Sequence, residues 1–227
     1  MQPARTRFHE ELDSLETAII VEGDLAERAV ARSLDALVHR DDALAQDVIA
    51  SDDEIDEKYL DVERRVFDLL ARQTPVASDL RLVLAILHIN LHLERIGDQA
   101  VNVAKIAVAT RNLPTGETVL RHLQEMGDLV REMLRTAMRG FAQRDLDLCL
   151  ALPEMDEPVD RLNRNMYREI VALAGDPSLL EWGIRINIVS RQLERVGDNA
   201  VDIGEQIAFL LTGQFREFTD ASHPEVT

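Results

Sequence analysis

Leu93-Glu94-Arg95-Ile96-Gly97-Asp98-Gln99-Ala100-Val101 is written again as Leu193-Glu194-Arg195-Val196-Gly197-Asp198-Asn199-Ala200-Val201, and seven of the nine positions are identical. Asn102 and Asp202 carry each copy one four-residue step further. In an α-helix, residues four apart share a face, about 6 Å apart at a rise of ~1.5 Å per residue. Each copy therefore presents a short ladder of oxygen-bearing side chains: Glu94, Asp98 and Asn102, then Glu194, Asp198 and Asp202. Stacked carboxylates repel and weaken an isolated helix. A compensating partner is expected, and a cation is one candidate.

Outward from this stretch the duplication continues. Gly23-Asp24-Leu25 matches Gly127-Asp128-Leu129 at an offset of 104, and Asp52-Asp53-Glu54-Ile55-Asp56 matches Asp156-Glu157-Pro158-Val159-Asp160 at the same offset. The offset falls to 100 after the second break, which places a four-residue shortening in a loop. Apolar spacing predicts helices over about 7–39, 43–72 and 78–110, then about 117–142, 146–173 and 179–211. Corners are expected at Arg40-Asp41-Asp42 and Gln143-Arg144-Asp145, and breaks at Gln73-Thr74-Pro75, Asn112–Gly116 and Gly175–Ser178. No strand alternation or hairpin signal is present. The expected fold is all-α: two tandem three-helix bundles related by internal duplication, residues 1–112 and 113–227, with a loose C-terminal tail from about 214.

Composition agrees. The 227 residues are 46% hydrophobic and only 4% aromatic, the balance of a long-helix protein. A net charge of −17 argues against nucleic acid and against docking on anionic lipid. The longest apolar run, Leu82–Leu87, is far short of the ~18–20 residues of a membrane span, so direct membrane insertion is not expected. Cys149 is the only cysteine, and no apolar signal segment follows Arg5 and Arg7; both fit a soluble cytoplasmic protein.

On a wheel of the third helix, Leu82, Ile86, Ile89, Leu93, Ile96, Ala100, Val103 and Ala107 form one apolar stripe. In the last helix Trp182, Ile186, Val189, Leu193, Val196, Ala200, Ile203 and Ile207 do the same. These are the expected bundle cores. Arg81, His88, His92, Arg95 and Gln99 fall in a sector that reads as solvated, and all six histidines read as surface residues. Glu94, Asp98 and Asn102 continue a third line, Leu80, Leu84, Leu87 and Leu91, that turns from apolar to acidic. The preceding helix brings Asp52 and Asp56, mirrored by Asp156 and Asp160, so each bundle can offer four carboxylates from two adjacent helices. Hard oxygen donors of this kind suit Mg²⁺, Mn²⁺, Ca²⁺ or iron, and bridging carboxylates can hold several ions together. The competing reading of such pairs is a solvated face with salt bridges. Arg95 and Arg195 are expected to pair with neighbouring acids. Gly97 and Gly197 are expected to permit close helix approach or room for a metal cluster, and Met126, Met133 and Met138 to fill core.

With these residues in view, the chain resembles the PhoU family of bacterial phosphate-signalling regulators over about residues 8–212. The most specific parts are Leu93–Asp98 with Asn102, the repeated Leu193–Asp198, and Pro75 leading into Asp79-Leu80-Arg81. The resemblance implies two tandem three-helix bundles, with multinuclear iron or zinc (Mn or Mg as alternatives) on Asp52, Asp56, Glu94 and Asp98, and on Asp156, Asp160, Glu194 and Asp198. Asp202 stands where the first copy has Asn102, and Pro158 interrupts the second Asp-x-x-x-Asp, so the second site is expected to differ in metal or occupancy. The resemblance further implies a homodimeric cytoplasmic adapter, not an enzyme, that links a phosphate ABC transporter, through its ATPase subunit, to a sensor histidine kinase and damps signalling when phosphate is plentiful. The alternative weighed against it is a metal-dependent enzyme, either a di-iron carboxylate oxidase or a phosphohydrolase. The oxidase branch is weakened because Glu-x-x-His is missing.

Overall fold

Each half of the chain folds as one long helix, a broken helix, and a second long helix. A computed structural model describes residues 3–218, with side chains from Arg7 onward. The first half holds α1 (Pro3–His39), α2 (Asp42–Ala50), α3 (Asp52–Arg72) and α4 (Ser78–Thr110). The second holds α5 (Glu117–Gln143), α6 (Leu146–Leu150), α7 (Leu152–Ala172) and α8 (Pro177–Thr212). The corner after α1 is made at Arg40 and the corner after α5 at Arg144, both left-handed with φ 55°. Each is followed by an aspartate cap: Asp41 accepts the Leu44 N–H, and Asp145 accepts from Asp147 and Leu148.

The second helix of each half is broken, where spacing predicts it continuous. Ser51-Asp52-Asp53 are weak formers of helix interior. Starting α3 at Asp52 instead puts Asp52, Asp53 and Glu54 in a first turn, where the helix dipole favours negative charge. In the second half Pro153 has no N–H to give and its ring crowds the preceding turn, so α6 stops and α7 starts at Leu152. Pro158 stays inside α7.

Both predicted apolar stripes, Leu82–Ala107 and Trp182–Ile207, are buried along their length. α4 and α8 are also buried on a second side, because they pack on each other more extensively than any other pair of helices. That face takes in part of the sector that reads from sequence as solvated: His88 and Arg95 are exposed as expected, and the correction concerns His92 and Gln99. His92 and Gln99 are buried, and His92 Nδ1 lies 2.8 Å from Asn199 Oδ1 on α8. Arg81 donates to the Leu210 carbonyl at 3.2 Å. A helical wheel separates apolar from polar; it cannot distinguish water from a polar neighbour on a second bundle.

α1 and α5 make the other junction between the halves, and the repeated Gly-Asp-Leu explains it. A methyl on Gly23 would stand 2.8 Å from Met138 Cε, and one on Gly127 would collide with Leu34 Cδ1. Leu34 and Met138 are themselves equivalent at the offset of 104. Each glycine is thus a hollow that takes the side chain of the opposite copy, which is the geometry of an approximate twofold axis. Glu27 and its counterpart Arg131 meet at 2.9 Å close to that axis. The segment read as a loose tail begins in contact: Phe215 stacks on Phe209 with centroids 3.8 Å apart, and Phe218 packs against the core. The rest of that predicted tail, 219–227, lies outside the described residues.

Candidate functional site

The eight predicted carboxylates fall into two seams, one per half, and the two are not alike. In the first, α3 supplies Asp52 and Asp56 and α4 supplies Glu94 and Asp98. Gly97 sets their approach. A Cβ there would lie 2.8 Å from Ile55 Cδ1, so its lack of a side chain lets α3 settle against α4 with the acids side by side. Their charges act on one another. Burial, then Asp56 and Asp98, push the Asp52 carboxyl up, against the pull of Lys105. Burial, then Asp98 and Asp56, push Glu94 up, against the pull of Arg95. Among the described residues none of the four makes an ion pair, and Asp56 and Asp98 stand exposed.

One further acid belongs to this seam, and sequence spacing did not single it out. Glu22 of α1 is completely buried, with neither carboxyl oxygen hydrogen-bonded. Burial and then Glu94 push its pKa up to about 8, opposed by Lys58. Its phase was a usable signal: Leu12, Leu15, Ile19 and Ala26 are buried along α1, and Glu22 falls in step with them. A charged residue on an apolar stripe is the informative exception to burial of apolar residues.

In the second seam Gly197 performs a different task. A Cβ there would stand 2.6 Å from Asp156 Oδ1, so the missing side chain makes a cradle for that carboxylate against α8. Asp156 and Asp198 line a cleft of about 220 Å³ together with Pro153, Asp202, Glu205 and Phe218. Burial pushes the Glu205 carboxyl up, although the Phe218 N–H donates to it. Asp160 and Glu194 do not line this cleft. Asp160 Oδ2 pairs with Arg164 at 3.2 Å, and Glu194 Oε1 with Arg191 at 3.6 Å. Arg95 and Arg195, expected to pair with neighbouring acids, are exposed, and Arg95 acts on Glu94 through its charge. Four-residue spacing along α7 favours Arg164 over a residue on another helix.

Hard oxygens crowded without an ion pair in the first seam, and a carboxylate seated in a glycine cradle in the second, match the donor chemistry of a divalent cation site. Among the described residues no three His, Cys, Asp or Glu side chains converge as ready ligands for one ion. A cation held here would have to draw the acids together.

Two matched helical units joined about an approximate twofold axis define the class: a tandem-repeat, all-helical bundle protein. The chain belongs to the PhoU family, whose domain matches residues 19–107 and again 123–207. It is 35% identical to the phosphate-specific transport system accessory protein PhoU homolog of Caulobacter vibrioides, over 91% of this chain and 90% of that one. It is 34% identical to the Pseudomonas aeruginosa protein of the same description, over 97% and 90%. The crystal structure of PhoU from Pseudomonas aeruginosa superposes with a TM-score of 0.87 at 33% identity, covering 91% of this chain and all of that one. The phosphate transport system regulatory protein PhoU from Streptococcus pneumoniae gives a TM-score of 0.85 at 28% identity, covering 92% and 99%. Proteins of this family are accessory or regulatory, so the chain is not an enzyme and the oxidase and phosphohydrolase readings fall. Among the described residues no helix is long and apolar enough to cross a membrane.

Proposed function

We propose that this protein regulates phosphate uptake and represses phosphate-responsive signalling by protein contact. Relatives that match it nearly end to end are described as accessory proteins of the phosphate-specific transport system, and that observation carries the reading. The partners we infer are the ATPase subunit of a phosphate ABC transporter and a sensor histidine kinase, met in the cytoplasm by a homodimer. The net charge of −17 supports protein partners over nucleic acid or anionic lipid. Divalent cations, iron or zinc by family likeness and manganese or magnesium by donor type, would sit on the two acidic seams and shape the contact surface. Asp52, Asp56, Glu94 and Asp98 would serve the first. Asp156 and Asp198 would serve the second, with Asp160 and Glu194 joining after release from Arg164 and Arg191. Capture of the ATPase subunit and the kinase by the purified chain, with and without phosphate and metal, tests the proposal. Binding to at least one partner that changes with phosphate is expected; binding to neither in any condition overturns it.

A further inference from the structure

The duplication allows one place in the core to be compared with its own copy. In the second half, Met126 of α5, Asn163 of α7 and Ser190 of α8 form a closed neutral group: the Ser190 hydroxyl donates to Asn163 Oδ1 at 2.8 Å and lies 3.6 Å from Met126 Sδ. The equivalent residues of the first half are Glu22, Tyr59 and Asn90. There Asn90 donates its amide to the Tyr59 carbonyl at 3.1 Å, while Asn90 Oδ1 and both oxygens of Glu22 are buried without partners. A buried acceptor left unmet is unfavourable, and a buried carboxylate more so. The second copy shows that the fold is content with a thioether at this position. Keeping a carboxyl there asks for a ligand.

The direction in which that ligand lies follows from the neighbours. Asn90 is one helical turn before Glu94, and Glu94 is the acid whose charge bears most on Glu22. Glu94 in turn feels Asp98, Asp56 and Asp52. The row of acids thus runs from the open end of the seam at Asp98 down to Glu22 in the core. Lys58 supplies a positive charge that opposes the shift of Glu22.

We propose that Glu22 is a further carboxylate ligand of the cation held by the first seam, so that the first half takes a hard divalent cation more tightly than the second, where Met126 replaces it. The inference rests on the cation reading given above. Ligand count and charge set affinity at all-oxygen sites, and a thioether adds nothing for Mn²⁺. A cation would supply the partner that both oxygens of Glu22 and Asn90 Oδ1 lack.

The test uses the full chain, stripped with chelator and titrated with Mn²⁺, free ion being read by electron paramagnetic resonance. Wild type, Glu22→Met and the near-isosteric Glu22→Gln are compared, with helix content and thermal melting as folding controls. Wild type is expected to show a tighter and a weaker class of site. Both substitutions are expected to weaken the tighter class at least about tenfold and leave the weaker class unchanged. A tighter class of unchanged affinity in both variants overturns the role of Glu22 and leaves the cation reading standing. Failure of wild type to bind Mn²⁺, Fe²⁺ or Zn²⁺ overturns the cation reading and this inference together.

Discussion

Replacing Glu22 by methionine, the residue its own repeat carries, should stabilise the metal-free protein at neutral pH. The magnitude follows from proton linkage. Glu22 has an ordinary value of 4.5 and is pushed up to about 8 in the fold by burial and by Glu94. Below pH 4.5 both folded and unfolded chains hold the proton, so the shift contributes nothing. Between 4.5 and 8 the folded chain keeps a proton that the unfolded chain releases, so stability falls as pH rises. At pH 7 the interval is 7 − 4.5 = 2.5 units, and at 1.36 kcal/mol per unit this is about 3 kcal/mol. Above pH 8 the loss is complete and constant. The groups facing Glu22 are Glu94 from α4 and Lys58 and Tyr59 from α3, and Lys58 moderates the effect without reversing its sign. Methionine is close to glutamate in length and shape, so little packing is lost. Urea unfolding in excess chelator should place Glu22→Met about 3 kcal/mol above wild type at pH 7, with the two converging near pH 4.5. In a chain of this size that gain raises the melting temperature by roughly 6–12 °C. Equal stabilities at pH 7, or a gap that does not narrow on acidification, would refute the assignment of Glu22 as a buried, unpartnered acid.

Gly127→Ala drives a methyl into Leu34 at the α1–α5 junction, and should destabilise by about 1–3 kcal/mol in urea unfolding; Gly23→Ala meets only the flexible end of Met138 and should lose less. Gly197→Ala fills the cradle of Asp156, so the weaker class of Mn²⁺ site should be the one lost, and retention of that class with full affinity would separate the cradle from cation binding. Glu27→Ala and Arg131→Ala should each destabilise, with a coupling of about 1 kcal/mol in a double-mutant cycle because both side chains are mostly buried; additive losses would mean the pair is incidental. The Cys149 thiol is buried and pushed up to about 12, chiefly by desolvation and secondarily by Asp145, so it should react with a thiol reagent at pH 8 far more slowly in the folded chain than in urea.

The helices were legible because their apolar residues recur at one period: the stripes of α4 and α8 are buried from end to end. Repetition made the acids legible, since Glu94–Asp98 and Asp52–Asp56 each return with their spacing. Three things escaped. His92 and Gln99 read as solvated because their partners, Asn199 and the rest of α8, belong to the other bundle. Glu22 escaped because it stands outside the repeat: its counterpart is Met126. The ion pairs of Asp160 with Arg164 and of Glu194 with Arg191 escaped because the repeat shows the acids and not the arginines beside them. In each case the deciding neighbour lies outside the pattern being read.

Divergence between the copies is what a fused duplication allows. In a dimer of identical units, residues on the twofold axis meet their own kind, so an acid there would face an acid. Here Glu27 faces its equivalent Arg131, and the like-charge contact has become an ion pair. The junction of α4 and α8 shows the same freedom: His92 meets Asn199, while the reciprocal positions, Gln192 and Gln99, are buried with unpartnered side-chain oxygens. The seams follow suit. Lys105, which acts on Asp52, corresponds to Glu205, which lines the second cleft, and Glu22 corresponds to Met126. One scaffold thus carries two acid seams of different depth and different counter-charge. Identical chemistry at both would need only one sequence repeated faithfully, and two of the substitutions that break the match, Lys105 to Glu205 and Glu22 to Met126, change the charge each seam feels.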